Sequence, residues 1–216
     1  MQVNRLASLE FETAVLLQTN FAHLAGLDEA GRGALAGPVV AAAVILPLDK
    51  PDALAELHEV NDSKQLTAKT REKLFSRITQ HALAYGIGQE PPDVIDKIGI
   101  IPATKRAMIT AVSQLTPPAQ YLLIDGHIRL KNSPLPQQSI IRGDSKSLSI
   151  AAASILAKVT RDRIMVQLDA RYLPYGFAQH KGYGTEQHRA AIKKHGPTPI
   201  HRYSFAPIRK SHPLIV

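Results

Sequence analysis

The stretch that most constrains the fold of this chain is Gly26–Gly33, in which two adjacent carboxylates end a short apolar run. Short apolar runs bounded by glycine are typical of buried central strands. Carboxylates at the end of such a strand are costly to desolvate unless a cation matches them. Asp28 and Glu29 therefore favour a divalent metal ion as counter-charge, and Gly31 and Gly33 would let backbone N–H groups approach a phosphate or sugar. A hairpin turn with a solvated Asp-Glu pair is the open alternative.

The remaining patterns predict an α/β protein with a mixed sheet of five strands. An unbroken apolar run between Pro38 and Pro47 predicts a second buried strand. Thr67 is a plausible N-cap for a helix that buries Leu74, Phe75 and Ile78. Further strands are expected at 82–89, 121–126 and 139–144, a turn or helical stretch at 93–101, and helices at 7–19, 104–115, 145–170 and 185–195, with a loop at 172–183.

Three predicted strands end in acidic residues, namely Asp28-Glu29, Asp125 and Asp144. Ligands bind where loops leave the strand ends of an open α/β sheet. Oxygen ligands suit Mg²⁺ or Mn²⁺, and two such ions roughly 4 Å apart can align a water and a leaving oxygen across a phosphodiester. One geometric condition applies, because neighbouring strand residues point to opposite faces. Asp28 and Glu29 share a site only if the strand ends or bulges between them.

Each of these residues also has a structural interpretation. Asp144 could be the N-cap of the following long helix, and Asp125 could belong to a turn. Lys64 and Lys146 are loop lysines that could simply be solvated. The histidines have no close-spaced metal motif, and we interpret them as structural or as supports of the site: His23, His127, His180 and His201.

The positive charge of the chain is concentrated near its C-terminus. Residues 158–210 hold eleven Lys or Arg and three Asp or Glu, so their excess equals the whole net charge of +8. Six of the eleven aromatic residues lie in the same segment. Cations interleaved with aromatics suit a nucleic acid, although a solvated basic surface over core aromatics is equally compatible.

Composition sets further limits on the class of protein. There are no cysteines, which excludes disulfides and thiolate metal sites and fits a reducing compartment. No apolar run approaches the roughly 20 residues that span a bilayer, and residues 1–22 have no signal-peptide core. We therefore expect a soluble, cytoplasmic protein that does not bind a membrane. We also expect a monomer, although no sequence feature specifies the oligomeric state.

Several motifs together resemble the bacterial type 2 ribonucleases H, known as ribonuclease HII. The resemblance extends in order from about residue 23 to 207 and leaves the first twenty or so residues uncovered. The motifs that carry it are Asp28–Gly33, Asn61–Lys64, Ile124–Gly126, Gly143–Ser145, Ser149–Ser154, Ala157–Val159, Tyr175–Phe177, His180–Thr185, Gly196-Pro197 and His201-Arg202.

The resemblance implies a ribonuclease H-like sheet with a helical C-terminal extension. It also implies an enzyme of DNA replication and ribonucleotide excision repair that cuts the RNA strand of RNA–DNA hybrids. Such an enzyme also nicks duplex DNA on the 5′ side of an embedded ribonucleotide, leaving a 3′-hydroxyl and a 5′-phosphate. We accordingly divide the chain into an N-terminal extension (1–22), a catalytic core (23–170) and a substrate-binding extension (171–216) that forms one unit with the core.

By position, the resemblance assigns roles to individual residues. The metal-binding catalytic carboxylates would be Asp28, Glu29, Asp125 and Asp144. The backbone of Gly31-Arg32-Gly33 would read the ribonucleotide 2′-hydroxyl, by which a protein distinguishes RNA from DNA. Tyr183 would pack on the deoxyribose that follows. The expected phosphate contacts are Lys64, Lys146 and Lys181.

One region departs from the family pattern. After Ile95-Asp96 the family usually has Asn where this chain has Gly99, and Pro102 falls where a helix should start. Proline is tolerated in a first helical turn. We therefore expect a shifted helix start and an altered local hydrogen bond.

Two other functions remain open. A non-catalytic nucleic-acid binding protein would use the basic segment alone, but it has no need for four acids that repel phosphate. A sister nuclease of the same fold, such as a junction resolvase or an integrase-like enzyme, would lack the Gly-Arg-Gly turn and Tyr183. No docking peptide for a replication partner is evident at Leu214–Val216.

Overall fold

The computed structural model describes residues 7–211, and a five-stranded sheet lies at its centre. The strands run in the order β3-β2-β1-β4-β5. β1 pairs antiparallel with β2, and β2 with β3, whereas β1 pairs parallel with β4, and β4 with β5. The predicted mixed α/β sheet is confirmed. The strands are β1 (Leu24–Ala30), β2 (Val39–Ile45), β3 (Ala84–Glu90), β4 (Tyr121–Asp125) and β5 (Gln137–Ile140).

Helices cover both faces of this sheet and continue beyond it toward the C-terminus. None of those within residues 7–211 is both long and apolar enough to cross a membrane. The helices are α1 (Glu10–Gln18), α2 (Pro51–Ala55), α3 (Ala68–His81), α4 (Pro92–Ile98), α5 (Ile100–Ser113), α6 (Leu148–Asp169), α7 (Phe177–His180), α8 (Glu186–His195) and α9 (Ala206–Ser211).

The long helix α6 packs on one face of the sheet and α5 on the other. The predicted small residues of α6, Ala151–Ser154, are buried and allow the close approach. Gly26 of β1 lies directly against this helix, because a Cβ atom there would lie 2.2 Å from the carbonyl carbon of Ser149. Only glycine fits at such a crossing. This contact fixes the start of α6 against the strand that carries Asp28.

Thr67 caps α3 as predicted, since its side chain accepts a hydrogen bond from the Thr70 amide at 3.1 Å. Leu74 and Ile78 are fully buried, and Phe75 packs half-buried against the same core. Because α3 rests on α6, the preceding turn that carries Lys64 lies over the acidic ends of the strands.

The prediction of a fifth strand reaching Asp144 was wrong. β5 ends at Ile140, and Asp144 lies in a 3₁₀ turn, Gly143–Ser145. The strand cannot continue because Arg142 adopts a left-handed conformation with φ +55°. α6 then begins at Leu148 rather than Ser145, and Ser147, not Asp144, is its N-cap.

The helix predicted from Thr104 begins earlier, at Ile100, and ends at Ser113. Pro102 therefore lies in its first turn, where a missing N–H costs nothing. Gly99 separates α4 from α5 with φ +83°, a conformation that favours glycine, and it offers no side chain to cap α5. The expected change in local hydrogen bonding is thus the loss of a side-chain cap.

The ends of the chain, residues 1–6 and 212–216, lie outside the described residues. They include the first part of the predicted N-terminal extension and the segment Leu214–Val216. Within the rest of the extension, Glu10–Gln18 form α1, which buries Val15 against Leu24 and Ile150.

Candidate active site

A cavity of about 720 Å³ opens at the end of β4, and most of the predicted site residues line it. Its walls include Asp28, Glu29, Asp125, Lys64 and Tyr183. A smaller adjoining cavity of about 390 Å³ shares two of these residues, Asp125 and Lys64, and adds Asp144. The fold therefore brings together the four carboxylates predicted from separate parts of the chain.

Asp28 and Glu29 meet in this cavity although β1 neither ends nor bulges between them. Both residues keep regular antiparallel partners on β2, so the condition stated from the sequence was wrong. The reason lies on the other edge of β1, where pairing with β4 stops at Leu27 and Ile124. Beyond that point no strand within residues 7–211 covers the edge of β1, and side chains from its two faces can reach the same opening.

Asp125 and Asp144 are held by one short segment. The amide of Gly143 donates to the Asp125 carboxylate at 2.6 Å, so the 3₁₀ turn is fastened to the end of β4. Asp144, the next residue, is buried and accepts a hydrogen bond from the Lys64 ammonium at 3.0 Å. Asp125 is thus oriented by the turn itself, which goes beyond the simple turn chemistry considered from the sequence.

Burial and mutual repulsion shift the pKa values of this cluster upward. Burial raises the pKa of Asp28 well above its usual range, and the neighbouring charges of Glu29 and Asp125 add to the effect. Burial also raises the pKa of Glu29 and Asp144, against the opposing influence of Arg32 and Lys64 respectively. The site therefore holds more negative charge than its protein surroundings neutralise.

The cations already present compensate for only part of this charge. Arg32 donates to Glu29 Oε1 at 2.9 Å, whereas Glu29 Oε2 is buried without a hydrogen-bond partner among the described residues. Burial alone would lower the pKa of Lys64, but its hydrogen bond to Asp144 raises it above the usual value. Each cation thus occupies a single oxygen of its partner.

The donor set fits a hard divalent cation. All four side chains are carboxylates, the ligands that Mg²⁺ and Mn²⁺ prefer, and one buried oxygen is unpaired. Within residues 7–211, no three Asp, Glu, His or Cys side chains are already gathered around one point as a complete ligand set. A divalent ion in this site would compete with Arg32 and Lys64 for carboxylate oxygens.

The Gly31-Arg32-Gly33 turn lies on a base of two fully buried arginines. Gly31 has φ +91°, and a Cβ atom there would lie 1.9 Å from Arg161 Nε, so glycine is required for both reasons. Arg202 donates to the Arg32 carbonyl at 3.0 Å and twice to the Gly37 carbonyl. The conformation of the turn is therefore set from below by residues distant in the sequence.

Arg161 completes this base with three further bonds to carbonyl oxygens, those of Pro38, Lys181 and Ala36, each at 2.9 Å. In the part of the chain that the structure describes, neither Arg161 nor Arg202 forms an ion pair with a carboxylate. Burial, followed by the charge of Arg161, lowers the pKa of Arg202 to about 9.

Tyr183 presents its ring to the main cavity with cations close by. The Arg161 guanidinium lies 5.2 Å from the ring centre and the Lys158 ammonium 5.6 Å. The backbone carbonyl of Tyr183 accepts a hydrogen bond from His188 Nδ1 at 3.0 Å. Ring and backbone are therefore both fixed before any ligand arrives.

His188 belongs to a set of buried histidines whose tautomers follow from their partners. His201 Nδ1 accepts from the Thr198 amide at 2.9 Å, so its Nε2 carries the proton and donates to His188 Nε2 at 3.1 Å. His180 Nε2 donates to the Tyr175 carbonyl, and its ring stacks on His188 at 4.4 Å. Burial lowers the pKa of His188 and His201 to about 4, so both rings are neutral near pH 7.

The three predicted lysines are not gathered at one place. Lys64 lines both cavities, and Lys181 lines a neighbouring groove shared with α3 and α6. Lys146 is exposed next to the 3₁₀ turn and contributes to neither cavity wall. Two cations not chosen from the sequence, Arg71 and Lys158, do line the main cavity. Lys158 lies in the Ala157–Val159 family motif, so the sequence did contain a signal that could have identified it as a site residue.

The basic and aromatic C-terminal segment is divided between core and surface. Tyr175 and Phe177 are buried and stack on each other at 5.5 Å, so they belong to the core. Of the cations in the same segment, Arg161 and Arg202 are fully buried. Tyr175 and Phe177 thus fit the interpretation as core aromatics, whereas the two buried arginines do not belong to a solvated surface. Tyr183 remains at the cavity.

Comparison with known proteins gives consistent matches. Residues 25–208 match the family model described as Ribonuclease HII. The ribonuclease HII of Ruminiclostridium cellulolyticum is 56% identical over 197 residues, covering 91% of this chain and 74% of the relative. The crystal structure of ribonuclease H2 from Pyrococcus horikoshii OT3 aligns with a TM-score of 0.74 at 28% identity, over 88% of this chain and 96% of that one.

A more distant structure shares the fold alone. Bst-RNase HIII, solved in complex with Mn²⁺, aligns with a TM-score of 0.66 at 19% identity, covering 89% of this chain and 70% of that one.

Proposed function

Since this chain belongs to the ribonuclease HII family, we propose that its acidic cavity is the active site of a metal-dependent endoribonuclease with two catalytic ions. The chain is an endonucleolytic hydrolase of the ribonuclease H type. Its proposed substrates are RNA–DNA hybrids and duplex DNA with an embedded ribonucleotide. Cleavage on the 5′ side of the ribonucleotide would leave a 3′-hydroxyl and a 5′-phosphate.

The observation that carries the proposal is the cluster of four buried or half-buried carboxylates whose charge exceeds that of the cations beside it. Asp28, Glu29, Asp125 and Asp144 would hold Mg²⁺ or Mn²⁺. When bound, such ions polarise the phosphate, lower the pKa of a water nucleophile and stabilise the leaving oxygen. Lys64 and Arg32 would exchange their carboxylate contacts for the phosphates of the substrate.

Specificity for RNA is proposed to reside in the backbone beside this cluster. The Gly31-Arg32-Gly33 turn lines the cavity together with the acids, and its glycines leave the main chain open to the 2′-hydroxyl of a ribonucleotide. Tyr183, on the same wall, would pack on the next deoxyribose. Lys146 and Lys181 would contact phosphates farther along the strand.

In the cell we propose a monomeric, cytoplasmic enzyme of DNA replication and ribonucleotide excision repair. Residues 23–170 would carry the chemistry, and residues 171–216 would complete the substrate surface as part of the same unit.

The proposal is tested with a labelled RNA–DNA hybrid, incubated with Mg²⁺, Mn²⁺ or excess EDTA. We expect internal cleavage of the RNA strand with either metal and none with EDTA. Asp125→Asn should remove cleavage while the circular dichroism spectrum and hybrid binding are retained. Normal turnover of this variant would refute the assignment.

Two results would favour the other functions. Tight, EDTA-insensitive binding without product at any metal concentration would indicate a nucleic-acid binding protein. Cleavage of an all-DNA duplex at a comparable rate would indicate a sister nuclease that does not read the 2′-hydroxyl.

A further inference from the structure

Glu12 of α1 is a buried carboxylate that the proposed chemistry does not use. It precedes residues 25–208, the part of the chain matched by the family model, and its exposed fraction is 1%. Its Oε1 accepts three hydrogen bonds, from Ser147 Oγ at 2.6 Å, Ser149 Oγ at 2.6 Å and the Ser149 amide at 3.0 Å. Burying a carboxylate is costly, so this concentration of donors on one oxygen calls for an explanation.

The three donors all belong to the start of α6. Ser147 is the N-cap of that helix, and Ser149 lies in its first turn. A negative charge near a helix N-terminus interacts favourably with the exposed N–H groups and the helix dipole. The backbone of Ser8 adds two bonds to the same segment, accepting from the Leu148 amide at 2.9 Å and donating to the Lys146 carbonyl at 3.1 Å.

The segment held by these bonds, residues 146–149, directly follows the 3₁₀ turn of the candidate active site. The amides of Lys146 and Ser147 donate to the Gly143 carbonyl at 2.9 and 2.8 Å, which closes the 3₁₀ turn around Asp144. The Gly143 amide in turn donates to Asp125 at 2.6 Å. A continuous series of hydrogen bonds therefore leads from Glu12 to the Asp125 carboxylate, and the turn that it passes through carries Asp144.

We propose that Glu12 is a positioning residue, which holds the start of α6 and thereby sets the places of Asp144 and Asp125 in the active site. The N-terminal helix is thus part of the support of the site. The inference rests on the proposed function in so far as these two acids take part in the reaction. Without Glu12, the two serine hydroxyls can donate, within residues 7–211, only to each other, at 3.2 Å, and the start of α6 is held less firmly.

The test compares Glu12→Ala and Glu12→Gln with the control Val15→Ala. Val15 lies on the same helix and is buried, but it makes none of the hydrogen bonds to residues 147–149. Three quantities are measured: kcat and KM on an RNA–DNA hybrid, Mn²⁺ affinity by calorimetry without substrate, and amide hydrogen exchange of residues 143–149.

For Glu12→Ala we expect kcat to fall about tenfold or more, as for other supports of metal ligands, with KM changed less than about twofold. Mn²⁺ affinity should fall by a similar factor and exchange at 143–149 should accelerate. Glu12→Gln keeps one acceptor oxygen in the same shape and should be intermediate. Val15→Ala should lower the melting temperature while kcat, Mn²⁺ affinity and exchange at 143–149 stay near wild type.

Equal losses of kcat and Mn²⁺ affinity in Glu12→Ala and Val15→Ala would overturn the proposal, because they would reduce Glu12 to a contributor to stability. Unchanged exchange at 143–149 in Glu12→Ala would overturn it as well. Should Glu12→Ala fail to fold, Glu12→Gln carries the same comparison. A wild-type protein without nuclease activity would refute the proposed function, while Mn²⁺ affinity and exchange would still decide the role of Glu12.

Discussion

Two clusters of buried charge adjoin the Gly31-Arg32-Gly33 turn, and the fold satisfies them to different degrees. Arg161 and Arg202 direct their hydrogen bonds at backbone carbonyls that lie 20 to 170 positions away in the chain. The acidic cluster, by contrast, contains Glu29 Oε2, which has no hydrogen-bond partner among residues 7–211, and Asp28, whose pKa is raised by burial and by its acidic neighbours.

The difference separates two uses of buried polar groups. A fully hydrogen-bonded group rigidifies the structure, and removing it leaves orphaned partners that cost free energy. An under-neutralised cluster lowers stability by itself and is retained where an external ion or substrate completes it. On this basis the arginines hold the backbone around the Gly31-Arg32-Gly33 turn, and we propose that the acids act on the substrate.

The largest effect should come from Asp28→Asn. Loss of a proposed metal ligand should reduce cleavage by about a thousandfold or more, or roughly 4 kcal/mol of transition-state stabilisation. Because the substitution removes a buried, repelled charge, the melting temperature without metal should stay the same or rise. Single-turnover kinetics and calorimetry measure both. A marked loss of stability would mean that Asp28 stabilises the fold, and would contradict its assignment to an under-neutralised cluster.

Arg202→Ala should show the reverse pattern. It strips the carbonyls of Arg32 and Gly37 of their donors, and we expect a loss of about 3–5 kcal/mol in the free energy of unfolding. Urea denaturation measures this, with the exposed Lys193→Ala as a control that should stay within about 0.5 kcal/mol of wild type. A stability loss no greater than that of the control would show that the buried guanidinium is dispensable.

The low pKa values of the buried histidines predict that the folded protein loses stability in acid. Folding lowers the pKa of His188 and His201 from 6.5 to about 4, so the unfolded chain binds more protons between these values. Stability should therefore fall as pH drops from 6.5 to 4, by on the order of 3 kcal/mol for each ring. Carboxyls with raised pKa, such as Asp28, act in the opposite sense.

Because these carboxyls oppose the histidines, the histidine contribution is measured as the difference in pH dependence of stability between wild type and a histidine variant. Urea denaturation of wild type and His201→Gln at pH 7 and pH 5 should show a smaller decline with acid in the variant. Parallel declines would exclude the histidine pair as the source.

Among these four variants, Tyr183→Ala should have the smallest effect. Loss of ring packing on a sugar or base costs about 1–3 kcal/mol, or roughly 5- to 150-fold in kcat/KM. The loss should be greater on a duplex with a single ribonucleotide than on a long RNA–DNA hybrid, and Tyr183→Phe should retain most activity. Equal losses on both substrates would contradict the proposed contact.

The sequence predicted the parts of this molecule that depend on local pattern. The strands around Gly26 and between Pro38 and Pro47, the cap at Thr67 and the convergence of the four acids all follow from apolar runs and turn residues. The places of Asp28 and Glu29 were predicted correctly, but for the wrong geometric reason, since the open edge of β1 depends on the length of β4.

The unpredicted features depend on contacts between residues far apart in the chain. Arg161 and Arg202 counted as surface charge because nothing nearby shows that carbonyls of residues 32–38 will surround them. The pairing of His188 with His201 and the bond from Glu12 to Ser147 are equally invisible in local sequence. Asp144 was placed on a strand because the left-handed Arg142 has no sequence signal as clear as a glycine.

The most direct test of the central claim is to map cleavage of a DNA duplex with one ribonucleotide, beside an otherwise identical all-DNA duplex, with and without Mg²⁺. We expect a single nick on the 5′ side of the ribonucleotide, leaving a 3′-hydroxyl, only with metal and only when the 2′-hydroxyl is present. A nick in the all-DNA duplex, or one that persists in EDTA, would contradict it.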